Sequence, residues 1–144
     1  QRAEATIIDG GGKGRNSPGI TMAEAATLDG FTITNVGSYD DEHWKKSWDE
    51  KGENQSHDHI GQFGIPGIAI TSTTCTVTNN IVHHNGDTGI AIRGEEGKRC
   101  APLVSGNVCY RNMGGGIGSM MGSMAIRASR TSTLESATTV LIPW

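Results

Sequence analysis

Glycine-led dipeptides recur along this chain at matched spacings, and a recurring unit constrains a fold more than any single element does. Gly19-Ile20 follows Asp9-Gly10, Gly89-Ile90 follows Asn79-Asn80, and Gly116-Ile117 follows Gly106-Asn107, each time nine positions on. Asp29-Gly30 fits the same unit, but its Gly67-Ile68 comes 37 positions on rather than nine, so this unit carries an insertion of 28 residues. With the insertion removed, successive units repeat every 20 to 27 residues.

Inside the units the side chains alternate. Thr27-Leu28-Asp29-Gly30-Phe31-Thr32-Ile33-Thr34 and Gly67-Ile68-Ala69-Ile70-Thr71 are rich in Thr and Ile with a period of two, which predicts strands rather than helices. Composition agrees: 21 glycines in 144 residues call for frequent turns, and 5% aromatics leave little for a helical bundle to bury. A second landmark sits five residues after the first, at Asn35, Asn85 and Asn112. There Asn tolerates left-handed backbone, and its amide can bond the same residue one unit away. A single strand-turn unit cannot bury its own apolar face, whereas units stacked at the strand spacing of about 4.8 Å share one continuous core. The expectation is an all-β parallel solenoid of about four rungs over residues 1–122, with a long inserted loop at 38–66. After Gly122 the landmarks stop, so 123–144 reads as a cap, a disordered tail or a shifted reading frame.

Asn80-Ile81-Val82-His83-His84-Asn85-Gly86-Asp87-Thr88-Gly89-Ile90 and Asn107-Val108-Cys109-Tyr110-Arg111-Asn112-Met113-Gly114-Gly115-Gly116-Ile117 resemble the Asn-x-Ile-x-x-Asn-x-x-x-Gly-Ile repeat of right-handed parallel β-helix proteins, the pectate-lyase-like superfamily. The resemblance spans roughly residues 5 to 120. It implies a polysaccharide partner, a secreted, periplasmic or cell-surface setting, and calcium as an open choice of cofactor. Such proteins include lyases, hydrolases, epimerases, binding proteins and phage tailspikes, so fold does not by itself imply function. They usually stack more rungs and cap the first with a helix, so this chain is expected to be part of a longer protein.

Insertions in solenoids map to loops on one face, where binding concentrates. Here the insertion is acidic, with Asp40, Asp41, Glu42, Asp49, Glu50, Glu53 and Asp58 against Lys45, Lys46 and Lys51. Its first half predicts a short helix: Ser38 as N-cap, acid-before-base pairs Asp41/Lys45 and Glu42/Lys46, and Gly52 as stop. Trp44 and Trp48 share a face and serve either as a sugar-stacking platform or as an anchor to the coil. Lys45, His57 and His59 complete the candidate substrate contacts. His57, Asp58, His59, His83, His84 and Asp87 form the candidate metal set, with Asp58 and Asp87 as its carboxylates; imidazoles favour a zinc- or copper-like ion, carboxylates with backbone oxygens calcium. On a strand, His83 and His84 are expected on opposite faces.

Rung alignment places Ile33, His83 and Tyr110 in one column and Thr34, His84 and Arg111 in the next. The resemblance to polysaccharide lyases implies roles: Arg93 or Arg111 to neutralise a uronate carboxylate, His83 or His84 to abstract a proton, and Tyr110 to donate one. The alternatives are a glycoside hydrolase, a non-catalytic scaffold for adhesion or assembly, or a metal-binding periplasmic protein. Whether the chain is an enzyme, and its oligomeric state, stay open.

Other classes fit poorly. A formal net charge of -3 lacks the basic footprint of a nucleic-acid binder, and no apolar run approaches the roughly 20 residues of a membrane span. Gly10-Gly11-Gly12-Lys13-Gly14 lacks the spacing and the helix of a phosphate loop and reads as a turn between rungs. Cys75, Cys100 and Cys109 read as buried small hydrophobes, with a bond from Cys100 to Cys75 or Cys109 as the alternative. Met113, Met120, Met121 and Met124 read as core and cap residues rather than a soft-metal cluster.

Overall fold

The computed structural model describes residues 6–50 and 65–120. Eleven short strands among them form three parallel sheets. The first sheet holds β1 (Ile7–Gly12), β4 (Thr32–Val36), β7 (Ile81–His83) and β10 (Val108–Tyr110). The second holds β2 (Ile20–Thr21), β5 (Ile68–Thr71), β8 (Ile90–Arg93) and β11 (Ile117–Met120), and the third holds β3 (Thr27–Asp29), β6 (Thr76–Thr78) and β9 (Leu103–Ser105). Each turn of the chain visits the sheets in the same order, giving a right-handed parallel solenoid of four rungs.

The core is a set of apolar columns. Ile33, Val82 and Cys109 stack in register in the first sheet. Ile68, Ile90 and Ile117 do so in the second, and Leu28, Val77 and Val104 in the third. Ile33, Ile68, Val77, Val82 and Ile90 are wholly buried, and each such side chain contributes about 1.5–3 kcal/mol. All three cysteines are buried and free.

The glycine of the repeat has a steric cause. A Cβ on Gly19 would lie 2.8 Å from the Gly67 carbonyl oxygen, one on Gly67 2.8 Å from that of Gly89, and one on Gly89 2.8 Å from that of Gly116. At this corner the backbone of one rung rests directly on the next. The asparagine of the repeat has a polar cause. Asn80 Nδ2 donates to Asn107 Oδ1 (2.9 Å) and to the Leu28 carbonyl (3.1 Å), while Asn80 Oδ1 accepts from Phe31 N–H (3.0 Å). Asn85 and Asn112 form a parallel ladder, Nδ2 to Oδ1 at 2.9 Å. These inward corners bury backbone groups that strands cannot satisfy, and the amides satisfy them.

The register corrects three expectations by one residue or more. Thr34, not Ile33, pairs with His83, which in turn pairs with Tyr110; Asn35 meets His84, and Val36 takes the place of Asn85. The ladder asparagines also lack the left-handed backbone expected of them. That conformation belongs to the residue before, at Asn79 (φ 55°), His84 (φ 52°) and Arg111 (φ 48°), and at Asn35 (φ 56°) in the rung where Val36 replaces the ladder residue. Asp9-Gly10 matches Thr34-Asn35 rather than Asp29-Gly30, because β1 lies in the first sheet and pairs Asp9 with Thr34. Gly10–Gly12 accordingly lie within β1, at an irregularity in its pairing, and not in a turn between rungs.

The insertion leaves the coil after β4 and rejoins it before β5. Its described part contains α1 (Asp41–Asp49), capped by Asp40 instead of Ser38: the Asp40 side chain accepts from His43 N–H at 2.8 Å. Asp41 and Glu42 complement the positive helix start. No side chain of α1 is buried. Ser38 lies instead against the coil, where a Cβ on Gly86 would come within 2.6 Å of its backbone N and O.

Candidate functional site

Within β7 and β10 the middle residues, Val82 and Cys109, enter the core, so His83 and Tyr110 project outward. The chain then turns through a left-handed residue in each rung, His84 and Arg111. This turn breaks the alternation of the strand. His84 therefore does not take the opposite face from His83: the two Nδ1 atoms are 2.6 Å apart, a separation at which one donates and the other accepts. Thr34 Oγ1 lies 3.3 Å from His83 Nδ1. The Tyr110 ring stacks on His83 at 4.8 Å and 15°.

Left-handed backbone costs an ordinary L-residue about 1–2 kcal/mol. Asn, which bears it best, fills the equivalent place at Asn35. Histidine and arginine stand there in the next two rungs, and residues held in strained backbone of this kind cluster at functional sites.

The insertion supplies the other wall. The Tyr39 ring meets the His84 ring edge-on at 4.8 Å. Its hydroxyl donates to Asp41 Oδ1 at 2.7 Å, and Arg111 donates from its guanidinium to the same oxygen at 2.9 Å. That guanidinium lies 5.2 Å from the centre of the Trp44 ring. Trp44 stacks in turn on Trp48 at 5.9 Å and 7°, and Trp48 is 42% exposed. Trp44 thus contacts the coil at Arg111, while Trp48 remains exposed to solvent.

The electrostatics follow from these contacts. Burial lowers the His83 pKa, and the charge of His84 adds to the effect. Burial likewise lowers that of His84, helped by Arg111 and opposed by Asp41. The Tyr39 hydrogen bond holds the Asp41 carboxyl below its usual range, with Arg111 and His84 acting in the same direction. Burial and the bond to Asp41 raise the Tyr39 phenol. Both imidazoles are thereby biased toward their neutral form, and the Tyr39 phenol toward its protonated form.

The structure gathers His83, His84, Tyr110, Arg111, Trp44 and Trp48 on one face. Arg93 is elsewhere, exposed at the end of β8 in the second sheet beside Thr71 and Met120. Lys45 is exposed on α1. Asp87 is buried before β8, where its Oδ1 accepts from Thr88 Oγ1 at 3.3 Å. His57, Asp58 and His59 lie outside the described residues. Among the described residues no three carboxylate, imidazole or thiol side chains converge on one point. Tyr39 and Thr34 were not among the candidate site residues, and the acidic run that holds Asp41 was read as a solvated helix start, with a hydrolytic carboxylate pair as the alternative. No spacing signals them, because they reach the site through the path of the insertion and through a register displaced by one residue.

A family model described as a right handed beta helix region matches residues 14–132. No curated protein and no solved structure matches the chain.

Proposed function

We propose, from the premise that the chain belongs to the right-handed β-helix family, that the outer face of its first sheet and α1 together bind carbohydrate. The observation that carries this reading is the continuous set of rings from Tyr110 and His83 through His84 and Tyr39, bordered by the stacked pair of Trp44 and exposed Trp48. Flat aromatic faces with polar groups at their edges suit pyranose rings. In this reading the partner is a polysaccharide, and the protein works outside the cytoplasm or at a cell surface.

The same face supports β-elimination on a uronate-containing chain. A neutral histidine of the His83/His84 pair removes the proton next to the carboxylate. The electrons released form the carbon–carbon double bond and break the bond to the leaving oxygen, which Tyr110 protonates. Arg111 balances charge on the carboxylate. The scaffold reading has its own support, since Arg111 and Asp41 already satisfy one another.

Incubation with uronate-containing and neutral polysaccharides, following unsaturated-product absorbance and new reducing ends, distinguishes lyase from hydrolase. Affinity electrophoresis tests binding without turnover. Trp48→Ala is expected to weaken retention by about tenfold, the equivalent of about 1.4 kcal/mol of lost stacking. No retention by any glycan, with intact β circular dichroism, would refute the carbohydrate reading.

A further inference from the structure

We infer that the start of the insertion is a latch, in which the Asp41 carboxylate occupies Arg111 and an anionic ligand must displace it. This inference rests on the carbohydrate reading of the same face. Three observations converge on it. First, α1 buries no side chain, so it is held to the coil by its surface contacts and by the residues leading into it. Second, those contacts meet at His84 and Arg111, the left-handed residues of adjacent rungs: Asp41 and Trp44 both hold Arg111, while Tyr39 links Asp41 to the edge of His84. Third, the group on Arg111 is a carboxylate, the functional group that the proposed substrate would present there.

The latch is weak by construction. The side chains of Arg111 and Asp41 are 38% and 64% exposed. An ion pair that open to water is worth little and is screened by salt. It is reinforced by an arginine lying over an aromatic ring, which water also weakens. A carboxylated ligand therefore competes with a tethered carboxylate for a single guanidinium. Opening would free Arg111 and uncover the His83/His84 pair from the side of Tyr39.

Calorimetric titration with a galacturonate hexamer and with its methyl-esterified form tests this in the wild-type chain and in Asp41→Asn. The hexamer is expected to bind Asp41→Asn about fivefold more tightly than wild type, while the esterified form binds both equally. Equal or weaker hexamer binding by Asp41→Asn would overturn the latch and leave carbohydrate binding standing. If neither form binds either protein, the uronate reading of this face fails, and amide exchange across 41–49 decides the latch separately. Arg111→Gln leaves the helix sequence intact and is expected to speed that exchange by about fivefold; unchanged exchange overturns the latch.

Discussion

Replacing Asn80 by alanine isolates the contribution of the amide ladder. The Asn80 side chain makes three hydrogen bonds: Oδ1 accepts from Phe31 N–H, and Nδ2 donates to the Leu28 carbonyl and to Asn107 Oδ1. Alanine leaves Phe31 N–H and the Leu28 carbonyl without those partners, while Asn107 Oδ1 keeps its bond from Asn80 N–H. A buried polar group left unsatisfied costs about 1–3 kcal/mol. Two such groups, with the void left by the amide, give an expected loss of about 3–5 kcal/mol. That is a large part of the roughly 5–15 kcal/mol that holds a domain together. Urea unfolding followed by circular dichroism should show a lower midpoint with an unchanged slope. A loss below about 1 kcal/mol would refute the reasoning, because it would mean that water satisfies the inner corner as well as the ladder does.

Gly67→Ala should destabilise by about 2 kcal/mol or more through its contact with the Gly89 carbonyl, measured by the same unfolding experiment; a neutral result would show that the rungs can part at this corner. His84→Gly relieves a strained backbone by about 1–2 kcal/mol and loses about 0.5–1 kcal/mol to unfolded-chain entropy, so stability should stay within about 1.5 kcal/mol of wild type while glycan retention falls. A large loss of stability would make His84 structural. For pH, His83 and His84 both have folded pKa values below the unfolded value. Their contribution is complete above about pH 6.5 and is lost as pH falls through the depressed folded values. The double variant His83→Gln/His84→Gln should flatten urea midpoints across that window, and an unchanged slope would refute the assignment. Glu24, held at about 2 by Thr73 and Thr74, acts lower. Its contribution is present above its ordinary 4.5 and lost as pH falls from there through about 2, a loss that Glu24→Gln should remove from acid unfolding curves.

The sequence by itself determined the solenoid. Gly19, Gly67 and Gly89 mark the corner where the backbone of one rung lies on the next, and a Cβ does not fit there, so the constraint recurs from rung to rung. Asn80 and Asn107, like Asn85 and Asn112, mark inward corners whose buried amides need one another, so they too recur at the period. Local chemistry repeated at fixed intervals is legible without coordinates. Register was less so: Asn79-Asn80 offers two asparagines to align with Gly30, and only the strand pairing chose Asn79, which moved Thr34 into the column of His83. The candidate site was legible in part, since His83, His84, Tyr110 and Arg111 share adjacent rungs. What tertiary structure alone decided was how they meet. A left-handed turn at His84 brings two neighbouring imidazoles together that a strand would separate, and the path of the insertion lays Tyr39, Asp41 and Trp44 across rungs distant in sequence. Such contacts depend on where a non-repeating segment returns to a repeating one, and no period encodes that.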